Sequence, residues 1–139
     1  MSDGDIDYLK TEIHAIEADS TIFLFNQGSR TGYLDDSNVI TVRGDVLPDP
    51  YSTHPRDRMS ARAVLAHEYY GHRSFRGTTA KYNSWNDEFR ASYMAARVAP
   101  GLSDEDRMYL ILDAVQRAKD AGVSIRFNSF MRRVLYGVA

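Results

Sequence analysis

Apolar residues recur every three or four positions along much of the chain, a spacing that predicts amphipathic helices. Ile6, Leu9 and Ile13 begin the first such pattern. The best-delimited helix follows Ser103, which forms an S-x-x-D capping box with Asp106. The predicted helices cover residues 5–18, 59–75, 85–98, 103–122 and 128–136.

Two shorter segments, 21–25 and 38–44, are rich in β-branched and aromatic residues and therefore predict strands. The residues between them predict a turn or loop, so the strands form either a hairpin or neighbouring members of a small sheet. Closely spaced prolines in segment 45–55 predict a surface loop, and segment 77–84 predicts a connector between helices.

The elements together predict the fold class α+β. We expect one helix-rich domain over residues 1–139, with a small N-terminal β-sheet and two central helices that carry the candidate site. A chain of 139 residues can bury one sizeable core and is too short for two.

Charge and hydropathy narrow the classes of partner. The net charge of −2 argues against nucleic-acid binding, which usually requires a strongly basic face. No apolar run is long enough to cross a bilayer, and the acidic N-terminus, MSDGDIDYLK, lacks the pattern of a signal peptide. We therefore expect no membrane partner, and either a cytoplasmic protein or a domain of an exported effector whose targeting lies elsewhere.

The chain contains no cysteine and only four histidines. The lack of cysteine excludes disulfides, cysteine-based zinc sites, iron–sulfur clusters and thiol nucleophiles. Any metal ion must therefore be held by histidine and carboxylate side chains.

The sequence HEYYGH, residues 67–72, concentrates such side chains on a predicted helix, and Glu88 follows on the next. Two imidazoles and a carboxylate are a usual donor set of catalytic zinc, which keeps a fourth position for water. Glu68, beside His67, could then take the proton of that water.

The spacing of the two histidines is unusual for a helix. Five residues of a regular α-helix turn through about 500°, which leaves His72 roughly 140° away from His67 around the axis. A single π-type turn absorbs the additional residue, and such turns are frequent at functional sites. Gly71 is the residue expected to permit this distortion of the backbone.

These residues resemble a known family. HEYYGH resembles the H-E-x-x-G-H motif of the dipeptidyl-peptidase III family of zinc metallopeptidases, and DEFRAS, residues 87–92, resembles its later E-E-x-R-A-[ED] motif. The resemblance implies a minimal gluzincin, or zincin-like, core with Zn²⁺ bound by His67, His72 and Glu88 and with Glu68 as general base. Ser92 stands where the family has an acid that supports a ligand histidine, which leaves Asp87 or another carboxylate as the candidate replacement for that acid.

The resulting functional prediction is a zinc-dependent metallohydrolase, a peptidase acting on a peptide or protein substrate. Small zincin-like domains also occur as toxin modules of bacterial polymorphic toxins, which makes a toxin domain a further expectation. Two alternatives remain open: a non-catalytic zinc- or protein-binding regulatory domain, and a toxin of another chemistry such as a nuclease.

Other polar side chains are weaker candidates for stabilising a reaction intermediate. Tyr69, Tyr70 and Tyr93 are expected to pack around the helices, and His54 is expected to be a solvated loop residue. If the strand at 39–43 borders the cleft, an extended peptide could pair with it as an added strand.

Overall fold

The computed structural model describes residues 1–77 and 84–137. Within these ranges the chain is helix-rich and carries a small three-stranded sheet, which confirms the predicted α+β class. The helices are α1 (Asp3–Ala15), α2 (Pro55–Arg58), α3 (Ala61–Ala66), α4 (Trp85–Val98), α5 (Asp104–Asp120) and α6 (Ser129–Tyr136), and the strands are β1 (Phe23–Phe25), β2 (Gly32–Leu34) and β3 (Val39–Val42). A π-helical segment, His67–His72, continues α3 and is called the π-turn below.

Local capping sets several helix ends where the sequence predicts them. Ser103 and Asp106 form both hydrogen bonds of a capping box at the start of α5. Ser60 accepts a hydrogen bond from the Ala63 backbone N–H, so α3 begins close to its predicted start. A second capping box, formed by Ser2 and Asp5, starts α1 two residues earlier than the apolar pattern alone predicts.

The sheet has the order β1-β3-β2. β1 pairs parallel with β3, placing Phe23 opposite Ile40, and β2 pairs antiparallel with β3, placing Tyr33 opposite Ile40. The two predicted strands are therefore neighbours and not a hairpin. The prediction of a turn or loop between them was incomplete, because β2 lies within this segment and forms one edge of the sheet.

The hydrophobic core lies between the sheet and the packed helices. Ile13 of α1, Ile40 of β3, Leu65 of α3 and Ile111 of α5 are all essentially inaccessible to solvent. Because α4 packs along both α5 and the π-turn, the core fixes the three segments that carry the candidate site.

The short helix α2 begins at the end of the proline-rich segment, where the sequence predicts a surface loop. His54 Nδ1 accepts a hydrogen bond from the Arg56 backbone N–H, and Pro55 occupies the first position of the short helix α2. Most of the predicted connector 77–84 lies outside the described residues. Among the helices of the described ranges, none combines the length and apolar character that a membrane span requires.

Candidate metal centre

The π-turn resolves the spacing of the two histidines. The helix that starts at Ser60 widens from His67 to His72, as the sequence predicts, and both histidines are buried. The edge of one imidazole ring faces the other, with ring centroids 4.7 Å apart. The additional residue of HEYYGH is thus accommodated by the backbone, and both imidazoles point to the same side of the helix.

Gly71 is required for a different reason from the one expected. It is absent from the described glycines with positive φ, so backbone freedom is not what selects it. Instead, the π-turn lies against α4 so closely that a Cβ at Gly71 would stand 2.5 Å from the carbonyl oxygen and 2.7 Å from the Cα of Ala91. Glycine is therefore needed for the close approach of the two helices.

Glu88, in the first turn of α4, brings a carboxylate to the two imidazoles. Nε2 of His67 lies 3.0 Å from Nε2 of His72 and 3.0 Å from Oε2 of Glu88, and Nε2 of His72 lies 3.3 Å from Oε1 of Glu88. Ligands held at about 2.0–2.1 Å in a tetrahedral zinc site are about 3.3 Å from one another. His67, His72 and Glu88 thus form a group that could hold a metal ion.

The outer nitrogens of the imidazoles fix where their protons lie. The Ser92 hydroxyl donates to Asp113 Oδ2 at 2.6 Å, so its oxygen is left to accept from His67 Nδ1 at 2.8 Å. Asp87 Oδ2 lies 3.2 Å from His72 Nδ1, and a carboxylate can only accept. When neutral, each ring therefore carries its proton on Nδ1 and directs an Nε2 lone pair toward the other ring.

Two lone pairs facing each other across 3.0 Å repel unless a cation lies between them. In the absence of a metal ion that cation is a proton. Burial alone would lower the pKa of His72, but the hydrogen bond to Glu88 and the charges of Glu68, Glu88 and Asp87 outweigh it and raise this pKa to about 9. Burial opposes the charge of Glu88, yet its hydrogen bonds to His67 and His72 hold its pKa well below the usual range.

Glu68 lies beside the group of His67, His72 and Glu88 but is not a member of it. Its Oε1 lies 3.8 Å from His67 Nε2, and no atom of the described residues forms a hydrogen bond with its buried Oε2. Burial raises the pKa of Glu68, against the opposing charges of the two histidines and a hydrogen bond from the Tyr33 backbone. A carboxyl group with a raised pKa is suited to exchange protons near neutrality.

A cleft of about 450 Å³ opens onto this group. One wall is the segment 28–34, which includes the edge strand β2, and the floor contains His67, His72, Glu68 and Glu88. Arg117 of α5 also lines the cleft, with a guanidinium nitrogen 3.4 Å from Glu88 Oε2. The cluster is thus reached from solvent through a groove bounded by a strand edge.

The tyrosines singled out in the sequence pack against the core, as expected, and their hydroxyl groups have hydrogen-bond partners outside the cluster. The Tyr69 hydroxyl accepts from the Asp19 backbone N–H, and the Tyr70 hydroxyl donates to the Ile16 carbonyl. The Tyr93 hydroxyl accepts from the Asn128 side chain. His54 Nε2 lies 3.7 Å from Asp120, and this histidine is not a member of the His67, His72 and Glu88 group.

Sequence reasoning missed the contribution of α5. Asp113 is completely buried and contacts Ser92, and Arg117 lies 3.3 Å from Asp113 and 3.4 Å from Glu88. A detectable signal was present, because Asp113 follows Leu110 by three positions and so falls on the core-facing side of an amphipathic helix. An acid at such a position needs a partner.

Comparisons of this chain with protein-family models, with curated proteins and with solved structures find no match.

Proposed function

We propose that this protein is a zinc-dependent metallohydrolase that cleaves peptide bonds. The observation that carries the proposal is the convergence of His67 Nε2, His72 Nε2 and a Glu88 oxygen, with the buried Glu68 carboxylate beside them. Two imidazoles and one carboxylate form a usual three-ligand set of catalytic zinc. The resemblance of HEYYGH and DEFRAS to the dipeptidyl-peptidase III motifs supports the same ligands and the same metal.

Different residues would bind the metal, transfer the proton and hold the ligands in place. Zinc bound at this site would supply Lewis-acid activation of water and of a substrate carbonyl. Glu68 takes the proton of the attacking water and returns it to the leaving amine, a role that suits a carboxyl whose pKa burial has raised. His72 and Glu88 are held by Asp87 and Arg117, so the ligand geometry is fixed before a substrate arrives.

The cleft favours an extended substrate along β2. The earlier expectation that β3 receives the peptide was wrong, because β1 and β2 occupy both of its edges. β2 is the edge strand that lines the cleft, and the Tyr33 backbone reaches Glu68. A peptide added along this edge would cross the floor of the cleft beside the general base.

The proposal is tested with Glu68→Gln, which removes the base and keeps the size of the side chain. We expect the wild-type protein to bind about one zinc ion per chain by elemental mass spectrometry, and to cleave members of an unbiased peptide library. Glu68→Gln should retain zinc and lose cleavage by at least about 10²-fold, the usual contribution of a general base. His72→Ala should lose the metal as well.

Two results would contradict the proposal in different ways. A wild-type protein that takes up no zinc has no metal centre, and the cluster is then an internal hydrogen-bonded group. A protein that binds zinc but cleaves no peptide, with Glu68→Gln indistinguishable from wild type, is a binding module built on the same scaffold.

A further inference from the structure

We propose that Ser92 and Asp113 are positioning residues that hold the His67 proton on Nδ1 and thereby direct Nε2 of His67 toward the metal ion. This inference rests on the metal-binding part of the proposed function and is independent of peptide cleavage. It makes α5, which carries none of the motif residues, part of the metal centre.

A chain of hydrogen bonds, called the relay below, runs from Asp113 of α5 through Ser92 to the ligand His67. Asp113 Oδ2 accepts the Ser92 hydroxyl proton at 2.6 Å, a length typical of an O–H donor to a charged oxygen. Ser92 Oγ lies 2.8 Å from His67 Nδ1. Because the serine proton is committed to Asp113, the oxygen can only accept from His67, and the ring must keep its proton on Nδ1.

Burial makes this arrangement strict. Ser92 and Asp113 have no solvent exposure, and His67 is only 5% exposed. Water cannot replace a missing partner there, and an unsatisfied buried polar group costs about 1–3 kcal/mol. The tautomer of His67 is therefore coupled to Asp113 through the Ser92 hydroxyl.

Arg117 provides a second contact between α5 and the ligands. It lies 3.3 Å from Asp113 Oδ1 and 3.4 Å from Glu88 Oε2, so one guanidinium contacts both the relay and a second ligand. Its charge compensates the buried carboxylate of Asp113, which would otherwise be costly to desolvate. The serine at position 92 therefore does not leave the site without an acid: Asp113 supplies one through a hydroxyl group.

The test measures zinc affinity by competition with a chromophoric chelator, in wild type, Ser92→Ala, Asp113→Asn and the double variant. Loss of an outer partner of a ligand histidine typically weakens metal binding by about 10- to 100-fold, and we expect this from each single variant. Because Asp113 reaches His67 only through Ser92, the double variant should bind zinc more tightly than the product of the two single effects predicts. Asp113→Asn preserves side-chain volume, so it remains informative if Ser92→Ala folds poorly.

Asp106→Asn is the matched control. Asp106 also lies on α5 and also accepts a serine hydroxyl, that of Ser60, at 2.6 Å, but it contacts no histidine of the cluster. This variant should lower Tm and leave the zinc dissociation constant unchanged.

A second readout examines the tautomer directly. Long-range ¹H–¹⁵N spectra of the zinc-bound protein should show His67 protonated on Nδ1, with slow exchange of that proton, and Ser92→Ala should accelerate the exchange. The inference is overturned if Ser92→Ala binds zinc as wild type does, or if the single effects multiply in the double variant. It is also overturned if Asp106→Asn weakens zinc binding equally, or if the proton lies on Nε2.

These results separate the two proposals. Zinc binding that depends on Ser92 and Asp113, in a protein that cleaves no peptide, would remove the peptidase and keep the relay. A wild-type protein without zinc affinity would remove both.

Discussion

At the scale of single residues, the geometry of the cluster depends on the lack of a side chain at Gly71 as much as on the three side chains that form it. Gly71 lies where the π-turn meets α4, and any Cβ there would overlap the backbone of Ala91. Backbone atoms cannot rotate away as a flexible side chain can, so the helices would have to separate. Because Ala91 precedes Ser92 and follows Glu88 by three positions, such a separation would displace both contacts of His67 on α4.

Gly71→Ala should therefore damage both folding and metal binding. We expect the free energy of unfolding to fall by about 1–3 kcal/mol, the usual cost of overpacking a core. Zinc binding should also be weaker. Urea denaturation and chelator competition measure the two effects. Gly44→Ala is the control, since nothing lies within 4 Å of its added Cβ and its φ is not positive. That variant should be neutral or slightly stabilising, and equal losses in both variants would contradict the packing argument.

At the scale of elements, each segment around the cleft contributes a different set of groups. The π-turn supplies the imidazoles and Glu68, α4 supplies Glu88 and Asp87, and α5 supplies the buried acid and guanidinium. β2 supplies no ligand of the group. Its part is an edge of the sheet along the cleft, where the Tyr33 backbone hydrogen-bonds to Glu68, and this edge is where an extended substrate is expected to bind.

Peptide binding should be visible as protection of this edge. In the Glu68→Gln variant, a saturating peptide should slow backbone amide exchange in segment 28–34 and leave β3 unchanged, because β3 is already paired on both sides. Hydrogen-exchange mass spectrometry measures both segments. The same peptide with N-methylated amides cannot pair as a strand and serves as the control. Protection of β3 in place of β2, or equal protection by the methylated peptide, would contradict this mode of binding.

At the scale of the whole molecule, the cluster links stability to pH and to metal. Without metal, the raised pKa of His72 adds stability that is complete below its ordinary value of 6.5 and is lost as the pH rises through about 9. The lowered pKa of Glu88 adds stability that is present above its ordinary value of 4.5 and is lost as the pH falls below it. The metal-free protein should thus be most stable between these two ordinary values.

Zinc should offset the loss of stability that the metal-free protein shows at alkaline pH. The metal requires a neutral His72 and competes with its proton, so the rise in Tm on adding zinc should be larger at about pH 9 than at about pH 6. A zinc concentration of about 100 times the dissociation constant adds roughly 2.7 kcal/mol. Differential scanning fluorimetry with zinc or with a chelator measures the difference. His72→Ala should abolish both the zinc effect and the alkaline loss, and a rise in Tm independent of pH would contradict the assigned coupling.

The sequence by itself determined the features that depend on near neighbours. α4 covers the predicted residues 85–98, and the cap of α5 forms as its S-x-x-D pattern predicts, since both depend on groups within about one helical turn. The five-residue spacing of His67 and His72 likewise required a π-turn for the two rings to share one face. The resemblance of HEYYGH and DEFRAS to the motifs of a known family implied the three proposed ligands, His67, His72 and Glu88, which the structure brings together.

Tertiary structure alone decided the rest. The contact of His67 with Ser92 joins positions 25 apart, and that of Ser92 with Asp113 joins positions 21 apart. The central place of β3, the edge of β2 and the need for glycine at position 71 also follow from how separate elements pack. Periodicity reports which face of a helix is buried but not which side chain it meets, because the partner is set by the packing of the whole core.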